Sequence, residues 1–156
     1  MNQNYIIADN WKIIEEGFDV SRVESSESIF SIGNGAMGQR ANFEEDYSGQ
    51  TLQGSYIGGV YYPDKTKVGW WKNGYPEYFA KVLNAPNWIG LHVKIENEIL
   101  DLNKCLEISN FRRELDMKNG ILYRSFTALM KNKIEVMILS SRFLSMDDDE
   151  KARIIN

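Results

Sequence analysis

Apolar and polar side chains alternate at period two, between turn signals, through the second half of the chain, and this pattern constrains the fold most. Residues 88–95 (WIGLHVKI) place Ile89, Leu91, Val93 and Ile95 on one face, and Glu96-Asn97 turns the chain before Ile99-Leu100. Residues 111–117 (FRRELDM) lead into Lys118-Asn119-Gly120. Asn-Gly is the strongest short hairpin signal because both residues tolerate positive φ. Residues 121–130 (ILYRSFTALM) form the returning arm, and Lys131-Asn132-Lys133 makes another turn. Residues 134–143 follow, with Ile134, Val136 and Ile138 alternating against Glu135 and Met137. Short strands at this spacing predict an antiparallel meander in a sandwich or barrel, because βαβ units would interpose helical patterns.

The first half is less regular. Residues 11–18 (WKIIEEGF) read as a strand with Trp11, Ile13 and Glu15 on one side, and residues 27–32 (ESIFSI) as a second, shorter strand. Nine of the twelve glycines then fall between Gly33 and Gly74, which predicts turns and close backbone contacts there instead of long elements. The acidic run Asp147-Asp148-Asp149-Glu150 and the residues after it read as a short helical turn or a frayed end.

Several function classes recede on composition. A chain of 156 residues is the size of one domain, and a compact domain of this size hides roughly 70% of its unfolded surface. The net charge of −4 comes without a basic stripe, which argues against nucleic acid. No apolar run approaches the roughly 20 residues that cross a bilayer, and the first ten residues lack a signal-peptide pattern. The single cysteine, Cys105, rules out an internal disulfide framework and fits a reducing cytoplasm. His92 reads as a strand residue, far from any partner with metal-ligand spacing.

Three motifs carry potential chemistry. Gly33-Asn34-Gly35-Ala36-Met37-Gly38 matches the dinucleotide pattern, which requires a helix starting at the last glycines to hold a pyrophosphate. The polar, acidic, glycine-broken run after Gly38 offers no such helix, so the glycines read as structural. Glu44 and Glu45 are adjacent carboxylates. A glycosidase pair faces one sugar from about 5–10 Å apart, whereas neighbours on a strand point to opposite faces. One of the two is therefore expected to pair with Arg40 or to cap turn amides. Residues 61–79 read as a loop holding seven aromatic rings: Tyr61, Tyr62, Trp70, Trp71, Tyr75, Tyr78 and Phe79. Such a loop either packs against another part of a larger protein or stacks its rings on sugar faces.

Taken in order, these segments resemble the N-terminal domain of glycoside hydrolase family 65. The resemblance runs from Trp11 (WKIIEEGFD) through the glycine motif to Gln39-Arg40 and Asn42-Phe43-Glu44-Glu45. It continues through residues 54–61 (GSYIGGVY), where residues 63–79 look like the maltose-phosphorylase branch, and through Asn84-Ala85-Pro86-Asn87. It ends with Glu114-Leu115-Asp116-Met117, Gly120-Ile121-Leu122, Arg124 and Arg142-Phe143-Leu144-Ser145. Ala41 stands where the family usually has glycine, Ala36 where an aromatic is common, and from Met146 onward the pattern is not followed well.

The resemblance implies an all-β, antiparallel β-sandwich of the galactose-mutarotase-like supersandwich type, incomplete over residues 1–156. It implies inverting phosphorolysis, in which inorganic phosphate attacks the anomeric carbon of maltose or a related α-glucosyl disaccharide. A carboxylic acid protonates the leaving oxygen, giving β-glucose 1-phosphate and glucose. The acid and the phosphate site belong to an (α/α) barrel outside this chain, so no catalytic residue, cofactor or metal is assigned to it. A structural motif of Gly33, Asn34, Gly35, Gly38, Arg40, Glu44 and Glu45 is expected, as is a carbohydrate-site rim of Trp70, Trp71, Lys72, Tyr75 and Tyr78. The implied partners are the barrel and a second subunit, in a cytoplasmic homodimer bound to neither nucleic acid nor membrane. From a different class comes a free-standing carbohydrate-binding module with Trp70, Trp71, Tyr75 and Tyr78 as its sugar platform.

Overall fold

The structure, a computed structural model, describes residues 5–67, 74–147 and, as backbone, 152–155. Its main element is a six-stranded antiparallel sheet in the order β1-β2-β10-β11-β12-β13. The strands are β1 (Ile6–Ala8), β2 (Lys12–Glu16), β10 (Glu107–Asp116), β11 (Ile121–Leu129), β12 (Glu135–Leu144) and β13 (Ala152–Ile155). The predicted meander is β10 to β12. The expected alternation in β12 holds, with Ser140, Arg142 and Leu144 buried and Glu135, Met137 and Leu139 exposed.

The turns follow from local chemistry. Asp116 accepts from the Lys118 and Asn119 backbone N–H groups and from Asn119 Nδ2, and only Gly120 (φ 66°) is left-handed. The Asn-Gly signal therefore closes a four-residue loop, 117–120, between paired Asp116 and Ile121, not a two-residue turn. In β10 the register shifts between Ser109 and Arg112, with Asn110 at φ 53°. This β-bulge changes which parity faces inward, from Ile108 before it to Phe111, Arg113 and Leu115 after it.

One face of the sheet is covered by the first half of the chain and by residues 87–105, which makes the second layer of an all-β sandwich. That layer holds β3 (Ile32–Gly33), β4 (Met37–Gln39) and β5 (Ser55–Ile57), paired in that order, and the hairpin of β8 (Lys94–Ile95) and β9 (Glu98–Ile99). Phe43, Leu100, Leu102, Phe111, Phe126 and Met130 are buried between the layers; Phe30, Ala41, Leu115 and Leu122 form a second cluster.

The structure corrects several expectations. Within residues 27–32, Glu27 to Ile29 belong to a helix, α1 (Val23–Ile29), and the strand begins only at Ile32. Val23, Ser26, Glu27 and Phe30 are buried at helical spacing, but two of the four are polar, which hides the period. Asp19 starts this segment by accepting from Ser21 N–H. Residues 88–93 are not a strand; the Leu91 N–H donates to Glu44 and the Val93 carbonyl accepts from Leu100, so no single ladder forms. Leu91 is accordingly exposed while Ile89 is buried, and His92 lies in irregular chain. The Glu96-Asn97 turn is present, with both residues at positive φ. In β2, Glu15 is buried but Trp11 lies exposed before the strand. The tail forms β13 against β12 and is not a helical turn; Asp148, Asp149 and Glu150 lie outside the described residues. Residues 61–79 are not one loop either, for β6 (Tyr61–Lys65) and β7 (Tyr78–Val82) pair within the segment.

Candidate functional site

The glycine motif is a tight connection between β3 and β4. Asn34 Oδ1 accepts from the Ala36 and Met37 N–H groups, Asn34 Nδ2 donates to the Ser145 carbonyl, and Gly35 sits at φ 92°. Gly33 pairs with Gly38, and the residue after Gly38 continues a strand. No helix follows, so nothing presents amides to a pyrophosphate.

Past this turn, the covering layer is fastened to the sheet by charge. Register aligns Glu15, Arg113, Arg124 and Ser140 across four strands on the inner face. Arg142 lies beside them, opposite Leu122. Arg124 Nη2 donates to both Glu45 oxygens, at 2.9 and 2.6 Å, and to Glu44 Oε2. Arg142 Nη2 stands 3.2 Å from Glu44 Oε1 and donates to the Asn42 carbonyl at 3.1 Å. Around them Gln39 Nε2 donates to Asn42 Oδ1 and the Gly54 carbonyl, and Ser55 Oγ donates to Gln39 Oε1. Arg113 is 1% exposed, with Phe30, Phe43 and Phe111 rings 5.3–5.6 Å from its guanidinium carbon. Its nearest carboxylate oxygen, Glu15 Oε2, is 3.7 Å away, and Ser26 Oγ donates to the other Glu15 oxygen.

Glu44 and Glu45 thus face the same cation, because the chain bends at both residues and is not strand there. Arg40, the partner expected from sequence, instead donates to Ser28 Oγ. Burial alone would push the Glu44 carboxyl up, but the Arg124 and Arg142 guanidiniums outweigh it and hold the group below the usual carboxylate range. Burial pushes Arg113 down to about 10, partly opposed by Glu15. A general acid needs a raised pKa and access to its substrate. Glu44, ionised and 2% exposed, has neither.

The open surface beside this network is a cleft of about 330 Å³ lined by Asp46, Gln53, Asn87, Leu91 and His92, among others. His92 Nδ1 lies 2.9 Å from Asp46 Oδ2. Among the described residues no group of three or more His, Cys, Asp and Glu side chains is placed to hold a metal ion. Of the expected rim, Tyr78 begins β7 and Tyr75 precedes it, both 51% exposed. Trp70, Trp71 and Lys72 lie outside the described residues. The β6–β7 pair is exposed on both faces: Tyr61, Tyr62, Phe79 and Val82 are each about half exposed. A two-stranded sheet of this kind is marginal by itself in water. The described rings and the charge network therefore occupy different places, the network inside the sandwich and Tyr61, Tyr62, Tyr75, Tyr78 and Phe79 exposed on the β6–β7 arm. Sequence reasoning assigned no role to Arg113, and named Arg124 and Arg142 only as part of the family resemblance.

Comparison with known proteins accords with this architecture. The sequence model described as glycosyl hydrolase family 65, N-terminal domain, matches residues 13–154, so it takes in most of the tail beyond Met146. The chain is 49% identical over 146 residues to a maltose phosphorylase of Bacillus subtilis, covering 94% of this chain and 19% of that protein. A kojibiose phosphorylase of Thermoanaerobacter brockii is 31% identical over 151 residues, covering 97% of this chain and 18% of that protein. A solved structure of a putative kojibiose phosphorylase from the human microbiome superposes with a TM-score of 0.79 at 36% identity, over 95% of this chain and 19% of that one.

Proposed function

Since this chain belongs to glycosyl hydrolase family 65 through its N-terminal domain, we propose that it is the non-catalytic sandwich of an inverting disaccharide phosphorylase. The parent splits maltose, or a related α-glucosyl disaccharide, with inorganic phosphate into β-glucose 1-phosphate and glucose. The observation that carries this is one of proportion: 94% of the chain aligns with a maltose phosphorylase, yet only 19% of that enzyme is spanned. The acid that protonates the leaving oxygen, and the groups that hold phosphate, then lie in the barrel domain of the parent. The parent is a cytoplasmic homodimer on this reading.

The test is direct. Given maltose and phosphate, residues 1–156 alone release no β-glucose 1-phosphate, while the longer chain turns over at the 1–1,000 s⁻¹ on the order of ordinary enzymes. Turnover of that size by the short chain would overturn the assignment.

The β6–β7 arm serves, in this proposal, as a contact for the catalytic domain and extends to the rim of its sugar site. What supports this is the uncovered state of its rings. In the longer chain, Tyr78→Ala is expected to raise KM for the disaccharide about 3- to 10-fold with kcat nearly unchanged, since a stacked ring is worth on the order of 1 kcal/mol. An unchanged KM would remove Tyr78 from the rim.

A further inference from the structure

An asparagine followed by glycine is prone to cyclise, because the glycine nitrogen has no side chain beside it to hinder attack on the carboxamide carbon. The chain has three such steps: Asn34-Gly35, Asn73-Gly74 and Asn119-Gly120. Asn73 lies outside the described residues. Crowding does not separate the other two, since a Cβ built on Gly35 or on Gly120 would meet nothing within 4 Å. Tethering does separate them. Asn34 Oδ1 accepts from two backbone N–H groups, at 3.1 and 2.7 Å, and Nδ2 donates to the Ser145 carbonyl at 2.8 Å. Its own N–H donates to the Met37 carbonyl, and Gly33 pairs with Gly38 directly outside the turn. Closing a ring at Asn34 would break its bonds to the β3–β4 turn and to the end of β12 at once.

Asn119 is exposed in the loop 117–120 that joins β10 to β11. Its carboxamide makes one bond, from Nδ2 to Asp116 Oδ2 at 2.7 Å, and its oxygen accepts from no described residue. That single partner stands three residues back, at the foot of the same loop, so an opening confined to the loop releases it. We propose that Asn119 is a site of self-modification, converting to aspartate and isoaspartate in the folded chain while Asn34 stays intact. The Gly120 nitrogen bonds to Asn119 Cγ, the Cγ–Nδ2 bond breaks, and ammonia leaves with the proton that Gly120 gives up. Water then opens the five-membered imide at either of its carbonyls. The product sets a carboxylate in place of Nδ2 beside Asp116, and isoaspartate adds a methylene to the backbone of the loop. Asp116 keeps its two backbone donors, Lys118 and Asn119 N–H, but loses the side-chain amide and gains a like charge as neighbour. The hairpin that carries Arg113 and Arg124 into the interior is thereby loosened at its closed end.

The inference depends on no activity of a longer parent. Residues 1–156 are incubated at mildly alkaline pH, once folded and once unfolded in guanidinium, and conversion at each asparagine is followed by peptide mapping with mass detection. Hydroxylamine, which cleaves the chain at the imide, reports the intermediate itself. Folding is expected to slow conversion at Asn34 by about ten-fold or more, since its bonds lie between paired strands, and at Asn119 by less than about three-fold. Hydroxylamine added to the folded chain should accordingly cut between Asn119 and Gly120 and leave the Asn34-Gly35 bond whole. Protection of Asn119 equal to that of Asn34 overturns the proposal, and so does faster conversion at Asn34 than at Asn119 in the folded chain.

Discussion

Arg124→Met should cost about 3–5 kcal/mol, because it strands two buried carboxylates around one vacated cation. For a domain of this size that lowers the thermal midpoint by roughly 6–20 °C. Glu45 loses both of its hydrogen bonds to Arg124, and Glu44 is left with one guanidinium, Arg142 at 3.2 Å. The loss should depend on pH in a set direction. In the native protein the Glu44 carboxyl is held low, so its contribution is present above the unfolded carboxylate value and fades as pH falls through the folded one. In the variant, a buried carboxyl left without its cation gains by taking up a proton. The gap between native and variant midpoints is therefore widest near neutral pH and narrows toward pH ~4. Thermal melts of both proteins across that range check it. A gap below about 1 kcal/mol at neutral pH, or one that widens with acid, would show that the guanidinium does not hold these carboxylates.

The sequence carries this network in a form that period-two reading alone does not interpret. Arg113 lies between Phe111 and Leu115, Arg124 between Leu122 and Phe126, and Arg142 between Ser140 and Leu144, each at inward parity. Their alternation marks the strands but cannot say what neutralises a guanidinium in the interior, since Glu44 and Glu45 arrive from about 80 residues away. Arg40 was the nearer candidate in sequence and the wrong one in space. The meander was legible because each of its strands borders the next through a local turn. The helix at Val23–Ile29 was not, because its buried face includes Ser26 and Glu27. Residues 88–93 failed for the opposite reason: the alternation is there, yet their backbone bonds go to two different segments. For the aromatic segment, the rings were visible in sequence but the pairing of β6 with β7 was not, with Pro63 inside one strand.

Phe111→Ala is expected to cost about as much as losing the buried charge, roughly 3–5 kcal/mol, through lost ring burial and the cavity it leaves. The ring is 4% exposed and meets Phe18, Phe43 and Phe126 at centroid distances of 5.5, 6.4 and 6.3 Å. It also covers Arg113, with 5.5 Å between guanidinium carbon and ring centre. Phe111 reaches this position only because the bulge at Asn110 resets the parity of β10; an unbroken alternation from Ile108 would turn it to the opposite face. Asparagine suits that step because it tolerates the left-handed backbone. Met137→Ala, like Phe111→Ala made in residues 1–156 alone, is the matched control, an apolar truncation on the face that no described residue covers, at 68% exposure, and should stay within about 0.5 kcal/mol. Urea unfolding of the two variants decides the matter. Equal costs would mean that the bulge does not set which face of β10 is the core, and that both faces of the sheet are covered alike.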